Sequence, residues 1–133
     1  MNVNKFKYLG HITTDTLCDN DDIQREIRNT FMRTNMLGRK FKNCSNSVKS
    51  ILFKTYCLWV YDIGLWFSFS SATMTKFRSC YNRCVKLFFG YKRMDSLAQV
   101  LLIHGIPSFD TVLFNARFSF QKSCTKCFNP IVN

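Results

Sequence analysis

Apolar residues recur at helical spacing after an acidic stretch near the N-terminus. Asp19, Asn20, Asp21 and Asp22 are favoured N-cap residues, and their carboxylates suit the positive end of a helix dipole. The pattern predicts a helix over about 22–42 whose apolar positions and cationic positions lie on opposite faces. The apolar face is predicted to carry Ile23, Ile27, Phe31, Leu37 and Phe41. The cationic face is predicted to carry Arg25, Arg28, Arg33, Arg39 and Lys40.

A second apolar run begins after the polar break at 43–46. Because this run is apolar around much of its circumference from Tyr56 onward, we expect the other helices to pack around residues 51–65. Gly64 is expected to loosen the helix locally. The residues at helical spacing, which continue toward Trp66, are Val48, Ile51, Leu52, Tyr56 and Val60.

Three more helices are predicted in the second half of the chain. The first has Gly90 as its stop and presents Lys76, Arg83 and Lys86 outward. Its inward residues are predicted to be Met74, Phe77, Tyr81, Val85 and Phe88. A short helix begins at Asp95 or Ser96, ends at His104-Gly105, and is separated from the last helix by Pro107. The last helix is capped by Ser108 and carries Val112, Leu113, Ala116 and Phe120 inward.

The N-terminal residues mix aromatic, β-branched and polar side chains, which predicts a strand or hairpin. A lone hairpin is marginal in water, so we expect this one to have belonged to a larger sheet in a longer chain. The predicted fold class is therefore mainly α, with a short N-terminal strand or hairpin followed by a bundle of four to five helices. The expected organisation is a hairpin at 1–18, a helical domain at 19–128 and a tail at 129–133.

The charge balance points to polyanions. Nineteen Lys and Arg face eight Asp and Glu, which gives a formal charge of +11. A field of this size attracts phosphate backbones, and a cationic helix face can lie along one. The alternative is that the basic balance only keeps a small protein soluble and that the Arg-rich faces are solvated without a ligand.

Other chemistry has weak support. Seven cysteines and no secretory signal pattern predict reduced thiols and a nuclear or cytoplasmic location, not a secreted one. The longest apolar run, 56–69, is shorter than the roughly 20 residues of a membrane span, so no membrane partner is expected. Cys124 and Cys127 have a spacing found in zinc sites, but a tetrahedral site needs four ligands. No metal, cofactor or catalytic residue is predicted, and Asp21 and Asp22 are interpreted as capping residues.

Several ordered segments resemble one family. Phe6-Lys7-Tyr8-Leu9-Gly10 resembles the strand that follows the catalytic palm in non-LTR (LINE-type) retrotransposon reverse transcriptases. The similarity continues through Asp22-Ile23 to Arg39-Lys40-Phe41 and through Phe53-Lys54-Thr55-Tyr56-Cys57. Further matching positions are Tyr61, Leu65-Trp66, Tyr81-Asn82, Cys84, Arg93, Ser96, Gly105, Pro107 and Phe109. The family often has a proline before the position of Tyr61, where this chain has Trp59-Val60.

The resemblance implies an edge strand of the palm followed by a helical thumb, which holds a template–primer duplex by its backbone. The family's aromatic-x-Asp-Asp motif is not in this sequence, so we expect no polymerisation by this chain alone. The expected partners are an RNA or DNA template–primer and the palm region or another polymerase chain. A thumb must hold many sequences, which favours contacts to phosphate. The candidate nucleic-acid contacts are Arg25, Arg28, Arg39 and Arg83.

Two other interpretations stay open. In the first, the chain is a decayed remnant without a function, and the missing palm leaves an exposed apolar surface and poor solubility. Alternatively, the basic amphipathic helix binds an anionic membrane surface. The membrane interpretation conflicts with a core that needs the same apolar face.

Overall fold

The computed structural model describes residues 3–58 and 61–131. A hairpin precedes five α-helices and one 3₁₀ helix, which confirms the predicted mainly α fold with an N-terminal hairpin. The elements are β1 (Lys5–Tyr8), β2 (His11–Thr14), α1 (Asn20–Lys40), α2 (Asn46–Tyr56), the 3₁₀ helix (Tyr61–Leu65), α3 (Ser71–Phe88), α4 (Leu97–His104) and α5 (Phe109–Thr125).

The hairpin is an antiparallel pair in which Lys5 lies opposite Thr14 and Tyr8 lies opposite His11. Leu9 and Gly10 form its two-residue turn, and both have positive φ, 46° and 89°. Positive φ at both turn positions gives a backbone twist that matches the twist of paired strands. β1 is exposed throughout, whereas β2 is half-buried and packs on α1.

α1 and α3 run in the same direction, side by side. At their first turns, the Ser70 backbone N–H donates to Asn20 Oδ1 at 2.9 Å. In the middle, Cys80 Sγ lies 3.7 Å from the carbonyl oxygen of Ile27. Toward their ends, Gly38 lies against the Phe88 ring. The two helices therefore present a shared, parallel surface along their length.

α3 is the central helix, since it packs against α1, α4 and α5. Its predicted inward residues, Met74, Phe77, Tyr81, Val85 and Phe88, are all buried, so that prediction is confirmed. Their rings join an aromatic cluster in which the centroids of Phe77 and Phe109 are 5.0 Å apart and those of Phe53 and Phe88 are 5.4 Å apart. Aromatic pairs at these distances contribute beyond the area that they bury.

The prediction that the other helices pack around residues 51–65 is wrong. Ile51 is 64% exposed and Tyr56 is 55% exposed, while α2 buries Phe53 on its inner side. The reason is that α2 ends at Tyr56, so the apolar run does not form one long helix with an apolar circumference. Trp59 and Val60, which were predicted to extend that helix, lie outside the described residues.

Local capping signals hold the helix ends. Ser45, Ser70 and Ser108 each precede a helix, and each side chain accepts from the N–H three residues on. Gly105 ends α4 with φ of 60°, a left-handed conformation that favours glycine. The predicted Ser108 cap and the predicted stop at Gly105 are therefore confirmed.

Replacing Gly64 and Gly38 by alanine should change the free energy of unfolding in opposite directions. A Cβ at Gly64 would lie 2.6 Å from Phe120 Cβ, which forces the 3₁₀ helix away from α5. Gly38 lies inside α1, where a Cβ would meet only Phe88 at 3.9 Å, an ordinary contact. We expect Gly64→Ala to lower the free energy of unfolding by about 1–3 kcal/mol. Gly38→Ala should raise it by about 0.5–1 kcal/mol, because alanine loses less backbone entropy on folding.

Urea unfolding followed by circular dichroism measures both changes. Each variant is the other's control, since both add one methyl group to a glycine. If Gly64→Ala is neutral, then the close packing of the 3₁₀ helix on α5 is not present in solution.

Candidate nucleic-acid interface and the ionic network beneath it

The buried face of α1 is largely polar. The sequence predicted an apolar face through Ile27, Phe31 and Phe41, but these three residues are only half-buried. The helix is rotated so that polar residues spaced four apart face the interior, where Asp22 and Glu26 form ion pairs and Thr34 Oγ1 donates to the Thr30 carbonyl oxygen. The residues that α1 buries are Asp22, Ile23, Glu26, Thr30, Thr34 and Leu37.

Asp22 is the centre of a buried ionic network. Its side chain is fully buried and accepts three hydrogen bonds at 2.8 Å, from Arg25 Nε, the Ile12 backbone N–H and Trp66 Nε1. These donors belong to α1, to the hairpin and to the chain just after the 3₁₀ helix. The interpretation of Asp22 as a helix cap is therefore wrong, since its carboxylate joins three separate parts of the chain.

Asp19, at the start of α1, also bonds across the chain. Its side chain makes no cap to its own helix. Instead, Asp19 Oδ2 accepts from the backbone N–H groups of Phe67 and Ser68 at 2.8 and 3.0 Å. The first turn of α1 thus holds the segment that leads into α3.

Two arginines predicted to point outward belong to the same network. Arg25 contacts Asp62, and its Nη1 lies 3.2 Å from Glu26. Arg33 Nη2 lies 2.5 Å from Oε1 of Glu26, whereas Arg25 contacts Oε2. The prediction that Arg25 and Arg33 project with the other cations is wrong, because buried acidic residues on the same side of α1 attract them. The network contains two Arg and three carboxylates, so the charges of both arginines are balanced by acids within the fold.

The environment shifts two carboxyl groups in opposite directions. Burial favours the neutral form of Asp22, but hydrogen bonds from Arg25, Ile12 and Trp66 outweigh it and hold the pKa of Asp22 below its usual value of 3.8. Burial, together with the negative charge of Asp22, raises the pKa of Asp62. As the pH falls, Asp22 therefore stays ionised to a lower pH than Asp62.

His11 completes the network from the hairpin. Its Nδ1 lies 2.9 Å from Asp22 Oδ2 and 3.6 Å from Asp62 Oδ2. The three side chains place metal-ligand atoms within 4.8 Å of one another. However, the Arg25 guanidinium contacts both aspartates and already supplies positive charge there. We therefore assign this cluster to tertiary structure, as a link between hairpin and helices.

The rotation of α1 leaves a groove between α1 and α3. The groove has a volume of about 510 Å³, and Arg28 and Arg83 approach it from the two helices. Arg83 lies over the Phe31 ring, with its guanidinium carbon 5.7 Å from the ring centroid. A guanidinium over an aromatic face gains a cation–π attraction while its edges stay available to a ligand. The other residues that line the groove are Ile27, Phe31, Met32, Ser79 and Cys80.

A second depression continues the groove along α3. It has a volume of about 640 Å³ and shares Ser79 and Arg83 with the first. Lys86 Nζ donates to the carbonyl oxygen of Arg93 at 2.9 Å, which places two more cationic side chains along the same surface. Asn82, Leu87 and Tyr91 complete the lining.

The four residues predicted from the sequence thus have different positions. Arg28 and Arg83 lie together in the groove. Arg39 is exposed at the end of α1, three turns or about 16 Å beyond Arg28 along the same side. Arg25 lies in the ionic network, with a side chain only 14% exposed. The sequence singled out Arg93 only as a position in the family resemblance and not as a contact, because it lies in an irregular segment where no periodicity marks it.

No protein-family model matches this chain, and neither does any curated protein or solved structure. The resemblance to non-LTR reverse transcriptases therefore stays a prediction. Within residues 3–58 and 61–131, no single helix is long and apolar enough to cross a membrane, although α4 and α5 pass that test as a pair bent by 56°.

The Asp22 network should contribute strongly to stability. We expect Asp22→Asn to lower the free energy of unfolding by about 2–3 kcal/mol, because Arg25 keeps its charge in a half-buried site after losing a partner. The matched control is Asp21→Asn, since Asp21 pairs with Lys5 in a solvent-exposed ion pair. Such pairs contribute at most about 1 kcal/mol. Urea titration at neutral pH compares the two variants, and equal losses would contradict the assignment.

Asp22 should also make the fold sensitive to acid. A carboxyl group whose pKa is depressed in the folded state stabilises the protein above its usual pKa of 3.8, and this contribution disappears as the pH falls through the depressed value. The urea midpoint of the natural chain should therefore fall more steeply below about pH 4 than that of Asp22→Asn. Parallel curves for the two proteins between pH 6 and pH 2 would contradict this.

Proposed function

We propose that this chain is the helical thumb of a reverse transcriptase of the non-LTR retrotransposon type. Its role is to hold a template–primer through backbone phosphates, without catalysing nucleotide transfer itself. The carrying observation is the groove between α1 and α3, where Arg28 and Arg83 face a common space of about 510 Å³.

Electrostatics supports phosphate as the ligand. Within residues 3–58 and 61–131, neither Arg28 nor Arg83 forms a salt bridge, whereas Arg25, Arg33 and Arg78 each do. An arginine without a carboxylate partner can neutralise a phosphate and so release the counterions condensed on the nucleic acid, and this release favours binding. The chain's formal charge of +11 adds long-range attraction.

The shape of the surface supports contact along a strand. Arg39 extends the line of Arg28 by about 16 Å, roughly five steps of a duplex at 3.4 Å each. Lys86 and Arg93 extend the other side of the groove along α3. Cations spread along two parallel helices suit a polyanion better than a small anion. Contacts to phosphate carry no sequence information, so a surface of this kind would hold many sequences alike.

The salt dependence of binding tests this proposal. We expect the chain to bind an RNA–DNA hybrid with little sequence preference and an affinity that falls steeply with salt. Arg28→Ala/Arg83→Ala should weaken binding and flatten the slope of log K against log salt by about 2, one for each lost contact. Fluorescence anisotropy with a labelled hybrid at several salt concentrations measures both.

Two controls separate the groove from total charge. Lys54→Ala/Lys126→Ala removes the same charge from exposed positions outside the groove and should change the slope much less. Arg28→Lys/Arg83→Lys keeps the charge and should keep most of the slope. If both alanine pairs reduce the slope equally, binding follows net charge and the groove has no special role. Affinity that does not change with salt would contradict the proposal as a whole.

A further inference from the structure

Two phenylalanines on α5 lie parallel on the surface. Phe114 is 69% exposed and Phe118 is 55% exposed, and they are one helical turn apart. Their ring planes are within 12° of each other, and the ring centroids are 6.2 Å apart. Apolar rings at this exposure lose the benefit of burial unless a ligand covers them.

The spacing of these rings is close to that of an aromatic sandwich. A flat ring between two parallel rings stacks on both, which needs a separation of roughly 7 Å, about twice the 3.4 Å step between stacked bases. The ring centroids are 6.2 Å apart, so the ring planes are at most that far apart and must open by about 1 Å or more to admit a base. Small rotations of two exposed side chains provide the difference. An aliphatic side chain from a protein partner would gain only from buried apolar area, whereas a nucleobase also stacks on both rings with its two faces.

The rings border a cleft of about 400 Å³ between α3 and α5. Its floor contains Phe69, Met74 and Leu113, and Gln121 lies at its edge. Arg117 lies between the two phenylalanines in sequence and packs over the Phe69 ring, with its guanidinium carbon 5.8 Å from the centroid.

The polar groups of the cleft favour an anionic ligand. Arg117 forms no salt bridge within the described part of the chain, so its charge is available. Arg78 also lines the cleft, and its Nη2 pairs with Asp110 Oδ1 at 2.7 Å. The formal charge of +11 disfavours a second copy of this chain as the occupant, since two copies repel each other.

We infer that the cleft between α3 and α5 binds an unpaired nucleotide of single-stranded nucleic acid, with the base between Phe114 and Phe118 and a phosphate at Arg117. This site is separate from the groove between α1 and α3, with which it shares no lining residue. It adds a contact that depends on bases to a surface that otherwise neutralises phosphate.

An abasic strand tests this inference, because it keeps the phosphates and lacks the bases. Fluorescence anisotropy compares a labelled 12-residue single strand with a strand of the same length that is mostly abasic. The natural chain should bind the base-bearing strand about tenfold more tightly or better, as expected for stacking of one base. Phe114→Ala/Phe118→Ala should bind both strands with the weaker affinity, and its salt slope should not change.

Further variants separate stacking from apolar contact and from charge. Phe114→Leu/Phe118→Leu keeps apolar surface without flat rings and should also lose the preference for bases. Phe67→Ala is the matched control, since Phe67 is 83% exposed outside the cleft, and it should keep the preference. Arg117→Ala should weaken both strands and reduce the salt slope by about 1. Circular dichroism checks that each variant is folded.

Several results would overturn the inference. The first would be equal binding of abasic and base-bearing strands by the natural chain, and the second would be a leucine variant that keeps the preference for bases. The third would be a dimer, seen by sedimentation, that Phe114→Ala/Phe118→Ala dissociates, because a second copy would then cover the rings. Failure here is distinct from failure of the thumb proposal, because Arg28→Ala/Arg83→Ala should change the salt slope for both strands and leave the base preference intact.

Discussion

The buried Asp22 carboxylate joins the hairpin, α1 and the chain just after the 3₁₀ helix. Burying a carboxylate is costly, and three hydrogen bonds with the nearby Arg25 charge offset that cost. Because Ile12 and Trp66 both donate to it, the carboxylate sets the rotation of α1 about its axis. That rotation turns Ile27 and Phe31 away from the centre of the core and toward α3, where they line the groove. The candidate interface therefore depends on a polar interaction on the far side of the same helix.

Features of the fold that depend on neighbouring residues were predictable. The inward face of α3 follows a single helical period, and its five predicted residues are buried. Ser108 and Gly105 act through hydrogen bonds and backbone conformation within a few residues of themselves, so their roles are visible in a short window of sequence. The hairpin likewise depends on Leu9-Gly10, where glycine tolerates the positive φ that the turn requires.

Features that depend on distant partners were not predictable. Trp66 reaches Asp22 from 44 positions away, and Asp62 reaches Arg25 from 37 positions away. A helical wheel that sorts residues into apolar and charged assigns Arg25 and Arg33 to solvent, because the buried acids that hold them are counted as polar surface too. One signal was present: Asp22, Glu26, Thr30 and Thr34 recur every four residues, which indicates a polar face turned toward the interior. The prediction that the helices pack around residues 51–65 failed for a related reason. The path of the chain after Tyr56 decides which apolar residues reach the core.

Whether an arginine has a carboxylate partner within the chain also determines whether it can bind a ligand. Arg25, Arg33 and Arg78 have carboxylate partners within the chain, so a phosphate must compete with an existing ion pair at each of them. Arg28, Arg83 and Arg117 have no such competitor in the described part of the chain, and Arg83 and Arg117 lie over aromatic rings. Net charge counts all six equally, although only the second group offers phosphate a site without first losing a protein contact. Nucleic-acid binding should therefore follow the placement of the carboxylates, because each acid that folds inward with an arginine removes that arginine from the binding surface.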